Sequence, residues 1–230
     1  MKHKINKNFF VFNPKSYLYG EDLLEYALVA DKVAADYPEV TVFITAPYAD
    51  LYRLSEETEN IIITAQHLDG INLGRGMGAV LPESIVAAGA QATFLNHAEN
   101  PLTLAEIIES VKRANELDIL TIVCANSVEE ARLLASLDID IILCEPTELI
   151  GTGDTSDEKY VKETIAGIRA VNSDVLIMQA AGISTPEDVR LMINYGADGT
   201  GCTSGITEAE SPKEMLAEMI KAVHEGRVDE

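Results

Sequence analysis

The sequence predicts an α/β fold, a closed barrel of eight parallel strands each followed by a helix, on three observations. Short β-branched or apolar runs alternate with longer amphipathic stretches, which is the rhythm of βα units around a parallel sheet. The rhythm repeats eight times without a linker or low-complexity segment. Polar residues collect at the C-terminal ends of several strands, the face on which barrels assemble their sites. The 230 residues suit such a barrel as one domain over 1–230, and 47% apolar content supplies its core.

The eight strand candidates are Phe9 to Asn13, Thr41 to Thr45, Ile61 to Gln66, Ala92 to Asn96, Ile119 to Cys124, Ile139 to Cys144, Val175 to Met178 and Gly199 to Cys202. After the first strand, Leu24, Ala27, Leu28, Ala30, Val33 and Ala34 fall at helical spacing and predict a sheet-facing stripe. After the fourth, Leu104, Ile107, Ile108, Val111 and Ala114 do the same. Helix starts are expected at Asn100-Pro101 as N-cap and first helical residue, and at the capping box that opens on Ser127. Thr185-Pro186 and Ser211-Pro212 open the seventh and last helices. An open, doubly wound sheet could also carry eight units. In it, Asn13, Gln66, Asn96, His97 and Glu145 would be spread along a crevice and could not all converge.

Composition excludes several classes. Seventeen basic against 38 acidic residues give a net charge of −21, which argues against a nucleic-acid partner, because such binding draws on Lys and Arg neutralising phosphates. The same field opposes an anionic substrate at long range, so a phosphate site would need local compensation from backbone N–H groups, helix N-termini and one or two lysines. No apolar stretch approaches the roughly 20 residues that span a bilayer, and no leader pattern opens the chain, so a cytoplasmic protein is expected. Cys124, Cys144 and Cys202 lie in or at the end of apolar runs, with no CxxC pair, and read as reduced core thiols rather than zinc ligands. No metal or organic cofactor is called for. Gly74-x-Gly-x-Gly lacks the spacing of a dinucleotide site and reads as a turn.

Several residues could carry chemistry. Glu145 leaves the buried run Ile-Ile-Leu-Cys half covered, and burial raises a carboxyl pKa toward the range of a general base. The following Pro-Thr-Glu-Leu-Ile-Gly-Thr-Gly has the proline and glycine ends expected of a hinged lid. His97 sits before the expected helix start at Pro101, where a helix dipole disfavours the imidazolium. Lys15, two residues past the first strand, can reach over the barrel mouth. Gly182 with Ser184, and Thr203-Ser204-Gly205, fall in the seventh and eighth loops, the usual phosphate site of barrels. Each of these residues also has an ordinary structural reading as a cap, a packed histidine, a solvated lysine or a loop residue, and their weight comes from occurring together.

In this order along the chain, these segments resemble the triosephosphate isomerase family, in particular its short archaeal branch. Asn13-Pro14-Lys15 stands where the family has Asn-x-Lys, and Leu95-Asn96-His97-Ala98-Glu99-Asn100 is similar to the segment bearing its electrophilic histidine. Glu145 through Gly153 resembles the catalytic glutamate and lid, and Ala181 through Ser184 with Thr203 through Gly205 the phosphate loops. The resemblance implies the TIM (β/α)8 barrel and aldose–ketose isomerisation of a small phosphorylated sugar. It implies Glu145 as base, His97 as electrophile, Lys15 and Asn13 as substrate-binding groups, and Glu99 as support for Lys15. Ile150, Gly151, Gly182, Thr203 and Ser204 would line the phosphate. It also implies a homo-oligomer, dimer or tetramer, assembled through the third loop. Four positions depart from the family pattern: Pro14 for an aromatic, Ala98 for serine, Met77 for threonine and Ala180 for glycine. They leave a four-carbon ketose phosphate open as an alternative substrate, and a barrel that binds a phosphorylated metabolite without turnover as a further one.

Overall fold

The computed structural model describes residues 2–145, 158–180 and 182–226. The strands are β1 (Asn8–Phe12), β2 (Val40–Ala46), β3 (Ile62–Ala65), β4 (Ala92–Leu95), β5 (Leu120–Ala125), β6 (Ile141–Cys144), β7 (Leu176–Gln179) and β8 (Gly199–Cys202). They close into a barrel in sequence order, every pairing parallel, with β1 bonded to both β2 and β8. Closure settles the choice against an open sheet. The helices are α1 (Gly20–Asp36), α2 (Leu51–Glu57), α3 (Pro82–Ala87), α4 (Leu104–Glu116), α5 (Val128–Leu134), α6 (Glu158–Arg169), α7 (Pro186–Asn194), the short α8 (Ser204–Thr207) and α9 (Pro212–Glu225).

Strand alternation divides the core in two. Phe9, Phe43, Phe94, Ile122, Leu143 and Met178 fill the barrel, while Phe10, Phe12, Ile44 and Ile63 pack outward under the helices. Size complementarity fixes the β1–β8 seam. Phe9 lies opposite Gly199 and Val11 opposite Gly201. A Cβ on Gly199 would sit 2.3 Å from the Phe9 ring, and one on Gly201 2.1 Å from the Val11 carbonyl oxygen. Only glycine leaves room there for the aromatic ring and the neighbouring strand.

Several sequence-based expectations need correction. Helix α4 starts at Leu104, not after Asn100-Pro101, because Thr103 and Glu106 form a full capping box three residues later. Leu28, Leu104 and Ile108 are exposed. The buried stripes run instead through Leu23, Ala27, Ala30 and Ala34 on α1, and through Ile107, Val111 and Ala114 on α4. Ser127 accepts from the Glu130 amide, but the Glu130 carboxylate is turned to the Asn126 amide and the Asn96 side chain, so only half a box forms. The starts at Thr185-Pro186 and Ser211-Pro212 stand where expected. All three cysteines are free thiols.

Candidate active site

The barrel mouth is organised around a backbone irregularity. Past the end of β1, Lys15 has φ +52°, a left-handed conformation that costs a residue with a Cβ on the order of 1 kcal/mol. Neighbouring groups hold it there. The Lys15 amide donates to Asn13 Oδ1 at 2.9 Å, and Gln66 Nε2 donates to the Lys15 carbonyl oxygen at 2.8 Å. One residue pair further round, Thr203 Oγ1 donates to the Asn13 carbonyl oxygen at 2.6 Å, fastening the end of β1 to that of β8.

So positioned, Lys15 Nζ meets Glu99 Oε1 at 2.6 Å. The hydrogen bond from Lys15 holds the Glu99 carboxyl below its ordinary pKa. Beside this pair, His97 is pushed down, first by burial and then by the Lys15 ammonium, with Glu99 opposing. The Glu99 amide donates to His97 Nδ1 at 3.1 Å. With that nitrogen accepting, the neutral ring carries its proton on Nε2, an assignment that follows from the hydrogen bond. A neutral ring is a donor that can also return a proton, which suits transfer between two oxygens.

Glu145 continues β6 by one residue, its amide donating to the Ala125 carbonyl oxygen at 3.1 Å. Its carboxyl pKa is raised, chiefly by burial; Lys15 pulls it down and Glu99 pushes it up. Burial wins, leaving a base stronger than a solvated carboxylate. Cys124 lies buried among the same charges, and burial drives its thiol pKa well above the ordinary value. It is no nucleophile at neutral pH.

Across the mouth, the loops after β7 and β8 lie against each other. A Cβ on Gly205 would stand 2.6 Å from the Ile183 carbonyl oxygen and 2.8 Å from Ser184 Cα, so glycine is what allows this contact. Gly182, at φ +73°, turns the first loop, and α8 opens the second at Ser204. The first amides of a helix have no intrahelical acceptor and suit an anion. The Ser184 amide is engaged by the Asp188 carboxylate at 3.1 Å.

One cavity of about 620 Å³ brings Asn13, Lys15, His97, Glu145, Gly182, Thr203 and Ser204 together. Glu99 stands behind Lys15. Ile150 and Gly151 lie outside the described residues. Asn96 does not join the cavity: its side chain turns to the Cys124 carbonyl oxygen, Glu130 and the Leu102 amide, bracing the β4 end at φ +57°. Of the four departures, Ala180 lines the cavity, whereas Met77 is fully exposed at the tip of the β3–α3 loop. Sequence reasoning noted Gln66 only as a polar strand end and overlooked Tyr17, Cys202 and Glu208, which also line the cavity. Among the described residues, no three His, Cys, Asp or Glu side chains group closely enough to hold a metal ion.

A buried carboxylate, a neutral histidine and a lysine thus face one cavity whose far wall offers backbone amides. This equips an acid–base catalyst that moves protons on an anionic substrate, and the chain is an enzyme of the intramolecular aldose–ketose isomerase class. The family model described as triosephosphate isomerase matches residues 8–223. Relatives bearing that name include one from Methanobacterium bryantii, 36% identical over 218 residues that cover 93% of this chain and 96% of its own. One from Methanocaldococcus jannaschii is 35% identical, covering 93% and 99%. One from Sulfurisphaera tokodaii is 39% identical, covering 91% and 93%. The chain belongs to the triosephosphate isomerase family.

Proposed function

We propose that the chain interconverts glyceraldehyde 3-phosphate and dihydroxyacetone phosphate, with Glu145 carrying a proton between adjacent carbons. Glu145 takes the proton α to the carbonyl, and the electrons collect on the carbonyl oxygen as an ene-diolate. His97 Nε2–H and the Lys15 ammonium are aimed at the developing oxyanion, which stabilises it without reorganisation. His97 moves the hydroxyl proton between the two oxygens, and Glu145 returns its proton to the neighbouring carbon. Asn13 acts by holding Lys15, and Glu99 by fixing the ammonium. Gly182, Thr203 and Ser204 receive the phosphate. Thr203 contributes backbone, since its hydroxyl is already bonded to Asn13.

The observation that carries this reading is the single cavity holding the raised Glu145 carboxyl, the depressed His97 and the left-handed Lys15. Its test is turnover of the two triose phosphates in a coupled assay, with erythrulose phosphates for comparison. Triose turnover with a kcat/KM approaching about 10⁸ M⁻¹s⁻¹ supports the reading. Strong turnover of the tetrulose phosphate alone would transfer the activity to that substrate.

The chain acts as one domain over 1–230, in the cytoplasm; among the described residues no helix is long and apolar enough to cross a membrane. It assembles as a homo-oligomer through the β3–α3 loop. That loop is closed at its neck by Asp69 and Val80, which exchange two hydrogen bonds of 2.9 and 2.6 Å, and is pinned by Arg113 to the Ile71 carbonyl oxygen at 2.9 Å. Its tip presents Leu73 and Met77 to solvent. Light scattering on the purified protein tests this, a monomer at working concentration being the contrary result.

A further inference from the structure

The cavity that receives an anion carries a second carboxylate, Glu208, which the reaction does not use. Glu208 is the C-cap of α8, its amide donating to the Ser204 carbonyl oxygen at 3.0 Å, so its backbone is tied to the residue opening the eighth loop. It lines the cavity with Ser204, Gly205 and Ala209. Among the described residues its carboxylate has neither an ion pair nor a hydrogen bond, unlike Asp188 nearby, which is spent on the Ser184 and Thr185 amides. Among the described residues the formal charges lining the cavity are therefore one lysine against two carboxylates. A packed structural role would bring a partner. An unpaired, exposed carboxylate leaves its charge at the cavity screened by solvent but uncompensated by a described neighbour.

We propose that Glu208 is an affinity-determining residue that opposes the substrate's phosphate and weakens its binding uniformly. This rests on the assignment of the β7 and β8 loops as the phosphate site. Repulsion acts on the bound phosphate in ground state and transition state alike, because the phosphate does not change charge in the proton transfers. It is thus a uniform binding effect, felt in KM and in product release rather than in the chemical step. It also disfavours more highly charged anions over less charged ones of the same shape. Glu208 is exposed, so solvent screens it and the expected size is modest.

Three proteins test the proposal: the unmodified chain, Glu208→Gln and Glu208→Lys, with Glu210→Gln as an exposed control outside the cavity. The readouts are KM for the triose phosphate and the inhibition constant of inorganic phosphate, both at low ionic strength. Neutralising Glu208 is expected to lower both by about threefold, and reversing its charge by more, with the difference shrinking in high salt. The control leaves both in place. Equal phosphate binding by all three Glu208 forms would overturn the proposal alone. A weaker site in Glu208→Gln, as when the carboxylate recruits a bridging cation, also overturns it. No phosphate binding by any form overturns it together with the reading on which it rests.

Discussion

Gln66, at the end of β3, donates from Nε2 to the backbone carbonyl oxygen of Lys15 at 2.8 Å, tying the loop after β1 to a strand 51 residues further along the chain. The bond acts on the backbone of a residue whose side chain is the cavity's cation. Removing it frees Lys15 to relax from φ +52° toward an ordinary conformation, and its ammonium then leaves its place beside His97.

Gln66→Ala is accordingly expected to cost little stability, about 1 kcal/mol for one hydrogen bond. It should lower kcat/KM by roughly ten- to a hundredfold, because misplacement of a substrate-contacting group by an ångström is that expensive. Steady-state kinetics beside a denaturant titration separates the two effects. Equal losses in stability and activity would show that Gln66 serves the fold alone.

The raised Glu145 carboxyl has consequences of opposite sign for activity and stability. As the proposed base, Glu145 must be ionised, so the acid limb of kcat/KM is expected above the ordinary carboxyl value of 4.5. For stability, a folded-state pKa raised by burial means that the protonated form suits the fold and the charge opposes it. Its stabilising contribution is full below 4.5 and is lost as pH rises through the raised value. Glu145→Gln, which removes that titration, should melt higher than the unmodified protein at pH 7, with the difference closing on acidification. Scanning calorimetry across pH checks this; a variant less stable at pH 7 contradicts it.

Gly205→Ala places a methyl group 2.6 Å from the Ile183 carbonyl oxygen, a backbone atom that cannot move aside without shifting the loop after β7. Overpacking of this kind costs about 1–3 kcal/mol. The two loops should part and KM for the phosphorylated substrate should rise several-fold, with the neutral, unphosphorylated triose affected less. Parallel kinetics with the two substrates reads the outcome.

Net charge of −21 and a local lysine act on an anionic substrate in opposite senses. The long-range field is carried by exposed carboxylates and is screened as the Debye length falls from about 30 Å at 0.01 M to about 8 Å at 0.15 M salt. Lys15 is mostly covered and screened less. The long-range term should therefore lose more, and kcat/KM is expected to rise over this range before specific ion competition sets in. A monotonic fall from the lowest salt would mean that local attraction governs association.

Much of this architecture was legible in the sequence because it depends on patterns local to one βα unit. Glu145 and His97 stood out as polar residues at the ends of apolar runs and Lys15 by its place two residues past the first strand, and alternation placed all eight strands within two residues of where they lie. Asn100-Pro101 misled because a better capping box, Thr103 with Glu106, follows within one turn. Leu28, Leu104 and Ile108 misled because helical spacing marks a broad apolar arc while the curved barrel covers only its centre. The roles of Gln66, Asn96 and Gly205 were not legible: each acts on the backbone or side chains of a different βα unit, and such partners are set by barrel register rather than by neighbouring sequence.

The central claim is that Glu145 moves the proton through an ene-diolate, and turnover of dihydroxyacetone phosphate in deuterium oxide, followed by NMR, tests it most directly. The account predicts solvent-derived deuterium on the carbon that receives the proton to the extent that the Glu145 carboxyl exchanges with solvent before returning it, and a loss of at least about 10²–10⁴-fold in rate for Glu145→Gln. A Glu145→Gln protein that turns over at the unmodified rate would contradict it.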